Sequence, residues 1–341
     1  MAVGDQANPV VYSYVALGKE GTFGTYASAT TSIEALSCSF KTEVKNQKID
    51  ALHLNRGSSH IVFLEKDVKG SLEQYLHPQE SVLLLANALA GQVSSTANTN
   101  STLHSISSGD FANSIASLSF NVRKGDATRA LTWRYHGARC NVLKMTGEIG
   151  QPVKCTYDFI FRDSTQVADD INAILSLSSV LPFTFVNATY QYGASEGAVA
   201  TETIQHFELT INNNLKDDKD SRGLGTNIIN VLPATRREIT LKTTQRFDTT
   251  TSWQRFIQHT QGAIQLDFSG AAIVAATTAS EFFFTMNIRL PNVQQLQGDA
   301  ELKSSKDLLM LETEWAVLLD SPSTSTGRQI GLTVRNSTAS Y

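Results

Sequence analysis

Apolar and polar residues alternate along most of this chain. The alternation is clear in Ser37 to Val44 (SCSFKTEV), Ser117 to Val122 (SLSFNV), Lys154 to Phe161 (KCTYDFIF) and Phe207 to Ile211 (FELTI). A period of two puts alternate side chains on opposite faces of a strand, so each segment is predicted to be a half-buried strand. Thr, Ser, Val, Phe and Tyr are prominent from end to end, and polar or Gly-containing loops separate many of the segments, a combination that suits strands and the turns between them. The predicted fold class is all-β dominated.

Two short segments depart from this pattern. Ser81 to Ala90 (SVLLLANALA) sets Val82, Leu85 and Leu89 at helical spacing, opens on a residue suited to N-capping, and is followed by Gly91 as a candidate C′ residue. Ser252 to Gln261 (SWQRFIQHTQ) repeats the layout, with Trp253, Phe256 and Ile257 on one face and Gly262 just beyond. Offset by 171 residues, Ser81 falls on Ser252, Val82 on Trp253, Leu85 on Phe256 and Gly91 on Gly262. Each apolar face is expected to pack its helix onto the outer side of a sheet.

The surroundings match too. Each helix follows a predicted strand (Val68 to Tyr75, then Ile239 to Phe247) and, before it, a long polar loop (Lys45 to Ser59, then Asn212 to Asn227). Each leads, after a Ser/Thr/Ala-rich stretch, into an alternating strand that ends in Asn121-Val122 or Asn287-Ile288. This reads as one fold used twice with weak residue identity; the alternative is two β-domains that each happen to carry a helix. The boundary is placed near Ser178, where VADDINAILSLSS gives way to Leu181-Pro182-Phe183, giving domains 1–178 and 179–341. Asp169 to Leu177 is a candidate linker helix.

Composition narrows the function. A chain of 341 residues favours two cores. A hydrophobic fraction of 41% with 18% charged residues belongs to a folded soluble protein, and so modest a charge suits a subunit that assembles. With 28 basic against 32 acidic residues the formal net charge is -4, so no overall positive field draws in nucleic acid, and tight binding through phosphate neutralisation is not expected. Cys38, Cys140 and Cys155 are odd in number and scattered, which argues against a disulfide framework or a zinc ribbon; they are expected to be buried thiols in a cytoplasmically folded chain. The start MAVGDQANPV has neither a basic n-region nor an apolar h-region, and no stretch approaches the roughly 20 apolar residues of a membrane span. The expectation is a soluble protein without a signal peptide or a membrane segment.

Motifs for chemistry are weak. Gly193 to Gly197 (GASEG) matches the G-x-S-x-G nucleophile elbow, but a β-like segment follows where a helix is needed, so Ser195 is read as part of a hairpin turn. Asp217 to Gly223 (DDKDSRG) resembles the start of a calcium loop, yet Arg222 stands at a ligand position and Ile229 where the closing glutamate belongs; a solvated loop is the better reading. Gly223-Leu224-Gly225 lacks the third glycine of a dinucleotide fingerprint. The histidines at 53, 60, 77, 104, 136, 206 and 259 show no metal-ligand spacing. Arg129 to Arg139 and Arg236-Arg237 supply local positive charge, but Trp133 and Tyr135 alternate within the former as on a sheet face. No catalytic, metal or cofactor-binding residue is expected, and no cofactor.

Leu17 to Tyr26 (LGKEGTFGTY), Lys69 to Gly91 (KGSLEQYLHPQESVLLLANALAG), Trp133 to Thr146 (WRYHGARCNVLKMT), Pro182-Phe183 and Thr210 to Leu215 (TINNNL) occur in an order that resembles the phage major tail tube proteins of the siphovirus type, with duplicated tube domains. That resemblance implies two tandem β-sandwich or half-barrel domains, one helix flanking each, and no enzymatic activity. It implies inner sheets that join into a continuous barrel and rings that stack through long loops. Implied partners are the chain itself in homotrimeric rings, a tape measure protein, tail terminator and distal tail proteins, and duplex DNA that passes through the lumen without tight binding. The implied location is the virion tail, after synthesis in the host cytoplasm. An inner tube of a contractile tail, a distal tail hub, or a virion β-sandwich binding module are the alternatives.

Both polar loops are longer than an isolated domain needs. Lys45, Asn46, Lys48, Asp50 and Arg56 in the first, and Asn214, Lys216, Asp218 and Arg222 in the second, are therefore the candidates for contacts between rings or subunits. Six domains of four inner strands give about 24 strands, and at ~4.8 Å spacing and ~45° tilt they enclose a backbone diameter of roughly 50 Å. Three two-domain chains close such a ring.

Overall fold

Strand-forming residues at alternating positions build both halves of the computed structural model, which describes residues 13–49, 60–109, 117–125, 131–168, 177–247, 250–273, 283–299, 308–320 and 327–341. The first half contains β1 (Tyr14–Lys19), β2 (Thr31–Ile33), β3 (Ala35–Cys38), β4 (Lys41–Ile49), β5 (His60–Tyr75), α1 (Ser81–Ala88), β6 (Val93–Ala97), β7 (Thr102–Ser107), β8 (Leu118–Lys124), β9 (Leu131–Glu148), β10 (Lys154–Phe161) and β11 (Asp163–Ala168). The second contains β12 (Ala188–Gly193), β13 (Val199–Glu202), β14 (His206–Asn212), β15 (Glu238–Arg246), α2 (Thr251–Ile257), β16 (Gln261–Ala272), β17 (Phe283–Asp299), β18 (Met310–Val317) and β19 (Gly331–Asn336). The fold is thus dominated by strands. The candidate linker helix falls largely outside the described residues.

The order of strand pairing is the same in each half. In the first it runs β2-β1-β8-β9-β10-β5, with β3 and β4 successively on the far edge of β5. In the second it runs β13-β12-β16-β17-β18-β15-β14. β11 also lies along β9, and β19 along β17. The irregularities recur as well. Register shifts fall at Leu118/Phe120 against β9 and at Gly262/Ile264 against β17. Asn141 of β9 and Leu296 of β17 are the residues skipped opposite β10 and β18. Before each helix a glutamine amide reaches a serine hydroxyl: Gln74 Nε2 donates to Ser81 Oγ at 2.8 Å, and Gln245 Nε2 to Ser252 Oγ at 2.6 Å.

Two details of the expected correspondence change. Asn121-Val122 lies on β8, but Asn287-Ile288 lies on β17, whose pairing partners make it the counterpart of β9. The β6–β7 hairpin, inserted between α1 and β8, displaces the match by one strand. The helices also end without glycine at C′: Ala90 (φ 53°) and His259 (φ 51°) take the left-handed position. Gly91 N donates to Ala86 O at 3.0 Å and Thr260 N to Arg255 O at 3.1 Å, which closes a Schellman turn on each helix.

The halves join twice, β14 pairing with β9 (His206 opposite Glu148, Asn212 opposite Val142) and β19 with β7. One long sheet results, in the order β3/β4-β5-β10-β9-β14-β15-β18-β17. Rather than two separate cores, buried apolar residues of both halves form one contiguous cluster, because β9 and β14 set Leu143 and Met145 beside Leu209 and Ile211. At its first end Phe40 meets Phe120, Tyr135 and Phe161 edge-on or tilted, with centroids 4.8–5.4 Å apart.

Glu20 is buried and anchors the first half. Its carboxylate accepts from Ser117 Oγ and Ser119 Oγ, both at 2.6 Å, and from the amides of Gly24 (2.8 Å) and Gly137 (2.7 Å). Both glycines have positive φ, the conformation that turns their amides onto the carboxylate. Glu20→Ala leaves these donors buried without an acceptor and should cost roughly 3 kcal/mol or more in a urea titration of the monomer.

Candidate assembly surfaces

The long sheet has one apolar and one polar face, as its alternation dictates. Phe207, Leu209 and Ile211 of β14 are buried while Glu208 and Thr210 face the other way, and β15 and β18 behave alike. Across that polar face lysines meet carboxylates on neighbouring strands: Lys154–Glu73 at 3.0 Å, Lys144–Glu208 at 2.7 Å and Lys242–Glu314 at 3.6 Å. The hydrogen bond from Lys154 holds Glu73 below the usual carboxylate range. Exposed pairs of this kind add little stability; their consequence is a surface on which these lysines are neutralised locally. Asp158, Glu148 and Glu238 lie on the same face, so its character is balanced to slightly acidic.

The described part of the segment expected as the first polar loop, residues 45–49, is strand. β4 pairs with the outer part of β5 from Lys41 opposite Lys69 to Ile49 opposite His60, and every β4 residue is exposed. Lys45, Asn46 and Lys48 therefore stand on a two-stranded arm; Asp50 and Arg56 lie outside the described residues. With no core against either face, nothing imposes a clear alternation on this stretch. The arm is nevertheless apolar towards its tip, where Ile61, Val62, Phe63 (73% exposed) and Leu64 lie open, a pattern that marks a surface for a partner.

The second expected loop is not open. Asn213 is buried and its Nδ2 donates to Ala88 O (2.8 Å) and Cys140 O (2.9 Å). Arg237 donates from Nε to Asn213 Oδ1 and from Nη2 to Leu89 O, both at 2.9 Å. These contacts satisfy carbonyls that the C-terminus of α1 leaves without partners, next to a cation the helix dipole favours. The amides of Asn213 and Leu215 bond to Asn141 O and Oδ1, each at 2.8 Å. Asn214 Nδ2 donates to Arg236 O, Lys216 N to Pro233 O, and Asp218 caps a short 3-10 turn over Lys219–Ser221. Asp217 pairs with Lys69 and Arg222 with Asp67. Residues 213–237 therefore form a strap that binds the second half to α1 and to the base of the arm; Asp217, Arg222 and Arg237 are drawn in by partners distant in sequence, while residues 218–220 and 223–227 stay exposed.

Burial pushes the Asp67 carboxyl up, but the hydrogen bond from Lys45 and the charges of Arg222, Lys45 and Lys69 outweigh it and leave its pKa below the usual 3.8. A carboxylate depressed in the folded state contributes stability above its unfolded pKa and loses it as pH falls through the folded value. Acidification from neutral to about pH 3 should loosen the strap, and Asp67→Asn should remove that part of the pH dependence, read by amide exchange at 213–237.

The two helices differ in burial. All of α1 is buried, including Val82 and Leu85, and so is Leu89 at its C-cap. On α2, by contrast, Trp253 is 42% and Ile257 52% exposed, and Phe256 is only half-buried. The packing expected for these three is thus incomplete: the strap caps the C-terminal end of α1, and among the described residues α2 has no counterpart of it. Leu85→Ala should cost about 2–5 kcal/mol, whereas Ile257→Ala should cost under ~1 kcal/mol, in parallel urea titrations.

The family model described as phage tail tube protein matches residues 13–317. The chain belongs to that family. A search of the curated proteins gives no match. Membership makes this tail tube protein a structural component of the virion tail that self-assembles into a tube, and it supplies a reason for apolar surface left open on one copy.

The remaining features of the tail tube protein fit a structural role. Cys140 and Cys155 are buried, and burial pushes both thiols up, Cys155 to about 12; such thiols are poor nucleophiles. Ser195 sits in the turn between β12 and β13, where Ala198 N donates to Ser195 O at 3.0 Å. Among the described residues no cluster of His, Cys, Asp and Glu could hold a metal ion, and no helix is long and apolar enough to cross a membrane. The cations near Arg139 are engaged locally: Arg134 lies over Tyr26 and Arg139 over Phe23, each 4.4 Å from the ring centroid, and Lys124 lies 4.9 Å from that of Trp133.

Proposed function

We propose that three copies of this tail tube protein close into a ring, that rings stack into the tube, and that DNA passes over the polar face of the long sheet during ejection. The observation that carries this reading is the β9–β14 junction, where the second half extends the sheet of the first through main-chain pairing. If the halves are copies of one domain, as the shared pairing order, the shared register shifts and the paired Gln74–Ser81 and Gln245–Ser252 bonds support, the same junction can recur between chains. β17 then pairs with the β3/β4 edge of the next copy, and ring closure removes both open edges. Eight strand positions per chain bring three chains to about 24 strands, the number estimated for a lumen that admits a hydrated duplex.

Duplication favours the tube of a flexible, siphovirus-type tail, with tape measure, terminator and distal tail proteins as partners after synthesis in the host cytoplasm. The arm, through Lys45, Asn46 and Lys48 and onward to Asp50 and Arg56, carries contacts between copies, and the exposed parts of the strap around Asn214, Lys216 and Asp218 contribute to them. Arg222 serves within the chain. The paired lysines of the polar face suit a wall that a polyanion must slide past, because each phosphate neutralised adds affinity. Electron microscopy of the purified protein tests the reading: long hollow filaments are expected, and persistent monomers would contradict it. Assembled tubes should show no submicromolar affinity for duplex DNA; binding of that strength that falls steeply with added salt would refute the non-adhesive wall.

A further inference from the structure

We propose that the exposed face formed by α2 and the bulged Leu296 is a socket for the base of the arm of a second copy. Thr42 to Val44 of that copy meet the socket as Ile211 to Asn213 meet the first half. The inference rests on the ring reading and specifies which surfaces meet at the joint between chains. The two helices differ at their C-terminal ends. The strap crosses that end of α1, with Asn213 and Arg237 on its last carbonyls and Leu215 in a small apolar cluster with Ala90 and Ile160. The landing point of the strap on β9 is the bulge: both Asn213 and Leu215 bond through their amides to Asn141.

The helix and the bulge of this landing site have counterparts in the second half that are open to solvent. α2 stands where α1 stands, with Trp253 and Ile257 exposed, and Leu296, the residue skipped in β17 as Asn141 is in β9, is 54% exposed. Gly298, two residues beyond it, lies against Phe256 of α2, so β17 passes the helix next to the bulge. Gln74 and Gln245 make Val68 the counterpart of Ile239, and since Thr42 stands opposite Val68 and Ile211 opposite Ile239, Thr42 falls on Ile211 and Val44 on Asn213. Val44 is 49% exposed, whereas Asn213 is buried. One chain therefore presents an apolar insert without a socket at its first end and a socket without an insert at its second, and a neighbouring copy related as the two halves are related satisfies both. Apolar Leu296 in place of Asn141 makes this joint more hydrophobic than the one inside the chain, as suits two surfaces that meet only on assembly.

The test uses the full chain with Leu296→Asp, Ile257→Asp and Val44→Lys, each at an exposed position, followed by sedimentation of assembled material and thermal melting of the monomer. Leu296→Asp and Ile257→Asp should each lower the sedimenting fraction by about tenfold or more, with monomer melting unchanged, and Val44→Lys combined with Leu296→Asp should restore assembly by setting opposite charges across the joint. Normal assembly of both aspartate variants would overturn the socket and leave the tube intact. Loss of assembly without rescue by Val44→Lys would overturn the assigned insert. An unmodified chain that never self-associates would defeat the ring reading, and the socket with it.

Discussion

Removing Asn46 to Arg56 should abolish tube formation while the monomer unfolds at an unchanged temperature. The deletion takes the outer part of β4 and the segment that follows it, and the described part of that stretch is exposed throughout. It leaves Phe40, Val68 and Leu72, the buried residues at the base of the arm, in place. Since apolar burial and not exposed pairing sets the stability of the fold, the loss should fall on contacts between copies. Sedimentation and melting on one preparation separate the two effects. Tubes of normal length from the shortened chain would show that the arm is dispensable for assembly.

Phe120→Ala should destabilise the monomer by about 3–5 kcal/mol, since the ring is fully buried and nothing nearby can fill the space it leaves. Its neighbours are aromatic: Phe40 at 5.2 Å, Phe159 at 5.0 Å and Phe161 at 6.0 Å between centroids. Rigid rings held edge to face collapse poorly around a vacancy. The midpoint of a urea titration measures the loss, and a change below ~1 kcal/mol would mean that the cluster can repack.

What the sequence revealed follows from where a core lies beneath it. β10 and β14 were legible because one face is buried against Leu143, Met145 and their neighbours, which imprints a period of two on KCTYDFIF and FELTI. α1 was legible from the helical spacing of Val82, Leu85 and Leu89, although all of its residues are buried. The outer part of β4 from Lys45 on was not, because it is exposed throughout and KNQKI needs no sustained alternation. The strap was misread as solvated because its partners, Asp67, Lys69, Asn141 and the end of α1, are distant along the chain. Trp253 and Ile257 carried a helical pattern that is genuine, yet a pattern of apolar residues does not say whether the surface that covers them belongs to the same chain. The displaced match of Asn287-Ile288 has a similar origin: a hairpin inserted after α1 shifts the strands, and only the ladder pairings restore their order.

The most direct test of the account is the rotational symmetry of the assembled tube, determined by image reconstruction of filaments of the purified protein. Three chains per ring are expected, in a wall of about 24 strands where β17 of one chain pairs with the β3/β4 edge of the next and the ion-paired polar face turns to the lumen. A ring of six full-length chains, or a wall in which those edges remain unpaired, would contradict it.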